Sequence, residues 1–108
     1  MLAESDILAA LRDCFDPDLK VNLVDLGLIY KIELEPDPNS TPKWQRQRVS
    51  ITMTLTAPDS PANGLILEQV QNRLAGIQDI GKVDLDLVWE PKWTPHRISP
   101  AGRLQLRI

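Results

Sequence analysis

Thr54-Leu55-Thr56-Ala57-Pro58-Asp59-Ser60-Pro61 separates two periodicities. Before it, Val49, Ile51, Met53 and Leu55 recur at every second position with Ser50, Thr52 and Thr54 between them, the alternation of a half-buried strand. After it, Ile66, Val70 and Leu74 fall four apart, which predicts a helix with one apolar face. Ser60-Pro61 is a helix-start signal, because a serine oxygen accepts from the free N–H groups of a first turn and proline has no N–H to leave unpaired. A strand that turns directly into a helix aims backbone donors and a side-chain oxygen at one spot, where an anion or a metal-bound group could sit. The plainer reading of Ser60 is a helix cap.

The elements on either side follow from the same two periods. Ser5 to Phe15 reads as a helix, with Ile7, Leu8, Leu11, Cys14 and Phe15 in one stripe and Ser5 or Asp6 as its cap. Asp16-Pro17 ends it, since the residue before proline is pushed out of the helical region. Gly27 marks a turn that a Cβ would strain. Leu28, Tyr30, Ile32 and Leu34 then alternate with Ile29, Lys31 and Glu33 as a first strand. Glu35 to Gln47 holds three prolines and an Asn-Ser pair, a long hairpin loop, and the second strand runs back from about Arg48 to Leu55. The second helix stops near Ala75-Gly76, and Val83, Leu85, Leu87 and Trp89 form a third strand. Returning through a helix, that strand lies parallel to the second. Ser99-Pro100 repeats the cap-and-proline signal and predicts a short C-terminal helix.

Each strand has one apolar and one polar face, so helices cover one side of the sheet and leave the other open. The order α-β-β-α-β predicts an α/β (α+β) two-layer sandwich with a small mixed three-stranded sheet. All 108 residues are read as one domain.

Composition excludes several classes of function. A formal charge of −3 with scattered Lys and Arg argues against nucleic acid or an anionic membrane as the main partner. A single cysteine, Cys14, excludes an internal disulfide and every multi-cysteine metal site. The start M-L-A-E-S-D is too acidic for a signal peptide and no apolar run reaches membrane-spanning length, so a cytoplasmic location is expected.

Enzymatic constellations are scarce. There is no Gly-rich phosphate loop, no G-x-S-x-G elbow and no H-E-x-x-H helix. A nucleophilic Ser60 would have only His96 as its base, and His96 sits in a proline-rich tail. Cys14 on the apolar stripe of the first helix reads as a small buried hydrophobe. Asp16, Asp18, Asp25 and Asp59 lie in loops, where they either cap backbone N–H groups or form an acidic rim; capping accounts for most of them. Trp89 and Trp93 flank E-P-K and pack the tail against the domain.

Four ordered motifs extend this reading. D-P-D-L from Asp16, N-L-V-D-L-G-L-I-Y from Asn22, M-T-L-T-A-P-D-S-P from Met53 and V-W-E-P-K-W-T-P from Val88 together resemble the MIP18 family, formerly DUF59. The closing I-S-P-A-G-R-L-Q-L is similar to its bacterial SufT-like and PaaD-like members. The resemblance implies the same α-β-β-α-β sandwich and a non-enzymatic accessory role in maturing iron–sulfur proteins, with iron–sulfur client or carrier proteins as partners. The alternatives are an iron or iron–sulfur carrier and an accessory subunit of a ring-oxygenase complex of the phenylacetate type. The resemblance places the functional surface on Asp16, Asp18, Asn22, Asp25, Thr54, Thr56 and Ser60. The family pattern T-x-P-x-C-P carries a cysteine where this chain has Ser60, and its D-P-E is D-P-D here. An alkoxide is a much poorer ligand than a thiolate for iron–sulfur chemistry, so no stably bound cofactor is expected, at most a transient cluster. Ser60 and Asp16 are the candidate metal ligands that remain. A homodimer is the expected assembly, since small sheets with free edges are often completed by a second chain.

Overall fold

A computed structural model describes all of residues 1–108. The elements run α1 (Glu4–Leu11), β1 (Ile29–Pro36), β2 (Gln47–Met53), α2 (Asn63–Ala75), β3 (Ile80–Leu87), a 3-10 turn (Pro95–Arg97) and α3 (Pro100–Leu106). β2 is the middle strand, antiparallel to β1 and parallel to β3. Val49, Ile51 and Met53 point into a single core with Ile7 and Leu11 of α1 and Ile66, Val70 and Leu74 of α2. α1 packs on β1 and α2, and α2 packs on β3.

The opposite face of the sheet is polar and ordered in rows. Glu35, Arg48 and Lys82 form one row, Glu33, Ser50 and Asp84 the next, and Lys31, Thr52 and Asp86 the third. Arg48 Nε donates to Asp84 at 2.7 Å, and this pairing holds the guanidinium pKa above its usual value. The pair is half-exposed, so it adds little stability.

Several boundaries differ from the periodic reading. α1 stops at Leu11, four residues early, because the chain leaves the helix to make a local pairing of Phe15 with Asn22. Phe15 is therefore exposed, while Cys14 stays buried. The N-cap of α1 is Ala3, and the Asp6 carboxylate reaches back to the Ala3 N–H, as expected of a first-turn acid. β3 starts at Ile80, earlier than Val83, because Gln47 N–H bonds the Asp79 carbonyl and extends the ladder backward. Gly81 and Lys82 interrupt the alternation there, which hid the start. Trp89 lies beyond its end.

The Asn22–Leu28 segment is neither helix nor strand, yet Leu23, Leu26 and Leu28 are completely buried. Its backbone groups pair locally, Leu26 N–H with the Asn22 carbonyl and Leu28 N–H with that of Leu23. Gly27 has φ +77°, and a Cβ there would run into the Arg97 carbonyl. The loop is thus a core element, pinned from outside by the tail.

Candidate functional site

The central turn is built differently from a capped helix. α2 begins at Asn63 with Ala62 as its N-cap, so Ser60 is not the helix cap that Ser60-Pro61 predicts. Ser60 Oγ accepts from Ala62 N–H at 3.2 Å, and the Ser60 carbonyl accepts from Asn63 N–H at 3.2 Å. The Asn63 side chain donates to the Ala57 carbonyl at 2.8 Å and closes the turn over itself. Asn63 closes this turn, and the helix starts three residues after Ser60. The same two-residue signal works at α3, where Ser99 Oγ accepts from Gly102 N–H at 3.1 Å with Pro100 in the first turn.

Asp16 is buried, and its Oδ1 accepts from the N–H groups of Asp18 and Leu19 at 2.8 and 3.0 Å. That is the backbone-capping role open to a loop aspartate. Asp18 is exposed, and its carboxylate makes no hydrogen bond or ion pair. Asn22 and Asp25 pair twice, through Asn22 Nδ2 to Asp25 Oδ2 at 2.7 Å and Asp25 N–H to Asn22 Oδ1 at 2.9 Å. Asp25 also accepts from the Ser99 hydroxyl at 2.8 Å. The Asn22 amide first, with help from Ser99 and the charge of Arg12, holds the Asp25 carboxyl below its ordinary range against the opposing effect of burial. No hydrogen bond joins Ser60 to any of these four residues, and the surface divides into a loop cluster and a turn cluster.

Thr54 and Thr56 stand at the carboxyl ends of the parallel pair β2 and β3. With Pro58 of the turn and Trp89, Lys92 and Trp93 of the tail they line a cleft of about 210 Å³. Thr54 is only 1% exposed, and its hydroxyl has no hydrogen-bond partner. Trp93 donates its indole N–H to the Leu26 carbonyl at 2.6 Å, which packs the tail as expected. Lys92 was missed in the sequence. The V-W-E-P-K-W-T-P motif signalled its importance, but nothing local said that the tail folds back across the turn.

Cys14 is buried, and burial pushes its thiol pKa up, the Arg73 charge only partly offsetting this. His96 is exposed in the 3-10 turn and makes no side-chain hydrogen bond. No three His, Cys, Asp or Glu side chains gather closely enough to hold a metal ion. No helix is long and apolar enough to cross a membrane.

The class is that of small α/β domains with a mixed three-stranded sheet, helices on one face and a strand–turn–helix surface that presents hydroxyls. Residues 4–85 match the family described as "Iron-sulfur cluster assembly protein", and the chain belongs to that family. It is 37% identical over 103 residues to the "Fe-S protein maturation auxiliary factor" of Porphyromonas gingivalis, covering 95% of this chain and 90% of that one. It is 30% identical over 105 residues to the "Fe-S protein maturation auxiliary factor YitW" of Bacillus subtilis, covering 97% and 94%. The crystal structure of a DUF59 domain from Bacillus anthracis superposes with a TM-score of 0.79 at 30% identity, covering 97% of this chain and 92% of that one. The α/β sandwich of the four-motif resemblance is the fold of this chain.

Proposed function

We propose that the protein is an accessory factor in the maturation of iron–sulfur proteins and that it acts by contacts with other proteins. The observation that carries this is end-to-end similarity to two maturation auxiliary factors, over 95% and 97% of the chain. Clients or carriers of clusters are the partners, met through the turn at Thr56 and Ser60 and the D-P-D-L loop. The donor set argues for an accessory role over a carrier role. Iron–sulfur clusters are held by several thiolates, and this chain has one thiol, buried just after α1 with a raised pKa. Asp16 Oδ1 is already committed to two backbone N–H groups, and Ser60 Oγ to one. The cluster is cargo of the partner proteins on this reading. Both outer edges of the sheet, on β1 and β3, are free for a second copy.

Deleting the gene in its own host tests the function. Iron–sulfur enzymes should lose specific activity while enzymes without clusters keep theirs, and the wild-type chain should restore the loss. Unchanged iron–sulfur enzymes in the deletion strain would overturn it.

A further inference from the structure

We propose that the cleft between the central turn and the tail receives a carboxylate, presented by a glutamate or aspartate side chain of a partner protein. The inference rests on the reading that the protein works through protein contacts, and it names the chemistry of one such contact.

Four side chains that carry hydrogen-bond donors line it, Thr54, Thr56, Trp89 and Lys92. Thr54 lines the cleft, and its hydroxyl is buried and has no partner within the chain. Buried hydroxyls in native proteins are nearly always bonded, so an orphan beside an open cleft points to a group supplied from outside. Lys92 is exposed on the lining of the cleft and makes no ion pair, so its charge is available to a ligand. The Thr56 hydroxyl and the Trp89 indole N–H make no hydrogen bond within the chain, whereas the Trp93 N–H is bonded to the Leu26 carbonyl. An indole and an ammonium group only donate, so the complementary ligand is an acceptor. One positive charge balances a monoanion, which favours a carboxylate over a doubly charged phosphate. No carboxylate of this chain lines the cleft.

Size and position agree with a side chain as the occupant. A cleft of about 210 Å³ is smaller than pockets for whole drug-sized ligands, which run from about 300 Å³ upward. Pro58, Trp89 and Trp93 supply apolar walls for the methylene stem of an acidic residue. The cleft opens beyond Met53 and Leu87, the paired last residues of two parallel strands, where α/β sheets place their ligands.

The experiment is an NMR titration of the full chain with the capped peptide Ac-Ala-Ala-Glu-Ala-Ala-NH2, its Gln counterpart and sodium butyrate. The Glu peptide should shift the Thr54 amide and Trp89 indole signals and bind about tenfold more tightly than the Gln peptide. Thr54→Val and Lys92→Met should each weaken it about fivefold or more. Thr54→Val should melt no lower than wild type, because the lost hydroxyl had no partner. Equal binding of the Glu and Gln peptides would overturn the proposal. A drop of several degrees in Thr54→Val would do so too, by showing that the hydroxyl serves the fold. Butyrate binding as tightly as the Glu peptide would remove the partner protein and leave a free organic acid in the site. If both variants fully restored the deletion strain, the carboxylate contact would fall and the maturation role would stand. If the wild-type chain itself failed to restore it, the maturation role would fall whatever the peptides do.

Discussion

Asp25 and Ser99 are joined twice across 74 residues of sequence: the Ser99 hydroxyl donates to Asp25 Oδ1 at 2.8 Å, and the Ser99 N–H donates to the Asp25 carbonyl at 2.7 Å. Ser99 also caps α3 through Gly102 N–H. One side chain therefore starts a helix and ties it to the buried loop. Ser99→Ala removes the cap and leaves an Asp25 oxygen short of a donor, and it should cost about 1–3 kcal/mol, read from the urea midpoint. A change below about 0.5 kcal/mol would show that water replaces the hydroxyl without loss.

The same carboxylate makes stability depend on acid. Its folded pKa lies below the ordinary value of 3.8, so it stabilises the fold fully above the unfolded pKa. That contribution is lost as the pH falls through about 4 and down through the folded pKa. Asp25→Asn should be less stable than wild type at pH 7 and should lose less on going from pH 5 to pH 2. Parallel stability curves for the two proteins would exclude Asp25 as a source of the acid sensitivity.

Gly27 lies at φ +77° against the Arg97 carbonyl, and Arg97 stacks on the Tyr30 ring with its guanidinium carbon 4.7 Å from the centroid. Gly27→Ala combines a left-handed backbone with a clash and should cost about 2 kcal/mol or more. Displacement of the tail should also change the fluorescence of Trp93, whose indole bonds to the adjacent Leu26 carbonyl. Wild-type stability in this variant would mean that the tail is free to give way.

Ser60→Cys restores the family residue in a half-buried turn where Ala62 N–H lies within hydrogen-bond reach. A backbone donor favours the thiolate, so the introduced thiol should react with Ellman's reagent well before Cys14, which burial shields until the chain unfolds. An introduced thiol as inert as that of Cys14 would show that the turn does not favour a thiolate.

Anaerobic incubation of the wild-type protein with iron and sulfide should leave no stable charge-transfer absorption after desalting, because one buried thiol does not make a cluster site. A brown protein with stoichiometric iron and sulfide that turns colourless in Cys14→Ala would revive the carrier reading.

The chain's periods determined the layers. Residues two apart in β2 and four apart in α2 must share a face whatever the rest of the chain does, so Val49, Ile51 and Met53 and then Ile66, Val70 and Leu74 declared the core from local spacing alone. The start of α2 was less legible, because Ser60-Pro61 looks like a cap while the chain first makes a turn there that the Asn63 side chain closes. Asn22–Leu28 has no period at all, and its burial depends on the tail that covers it. The cleft was not readable in advance for the same reason. Thr54 and Lys92 line one cleft only because residues 88–99 fold back through Tyr30, Trp93 and Ser99, and contacts between distant segments are selected by the closed structure, where an unpaired hydroxyl first acquires a meaning.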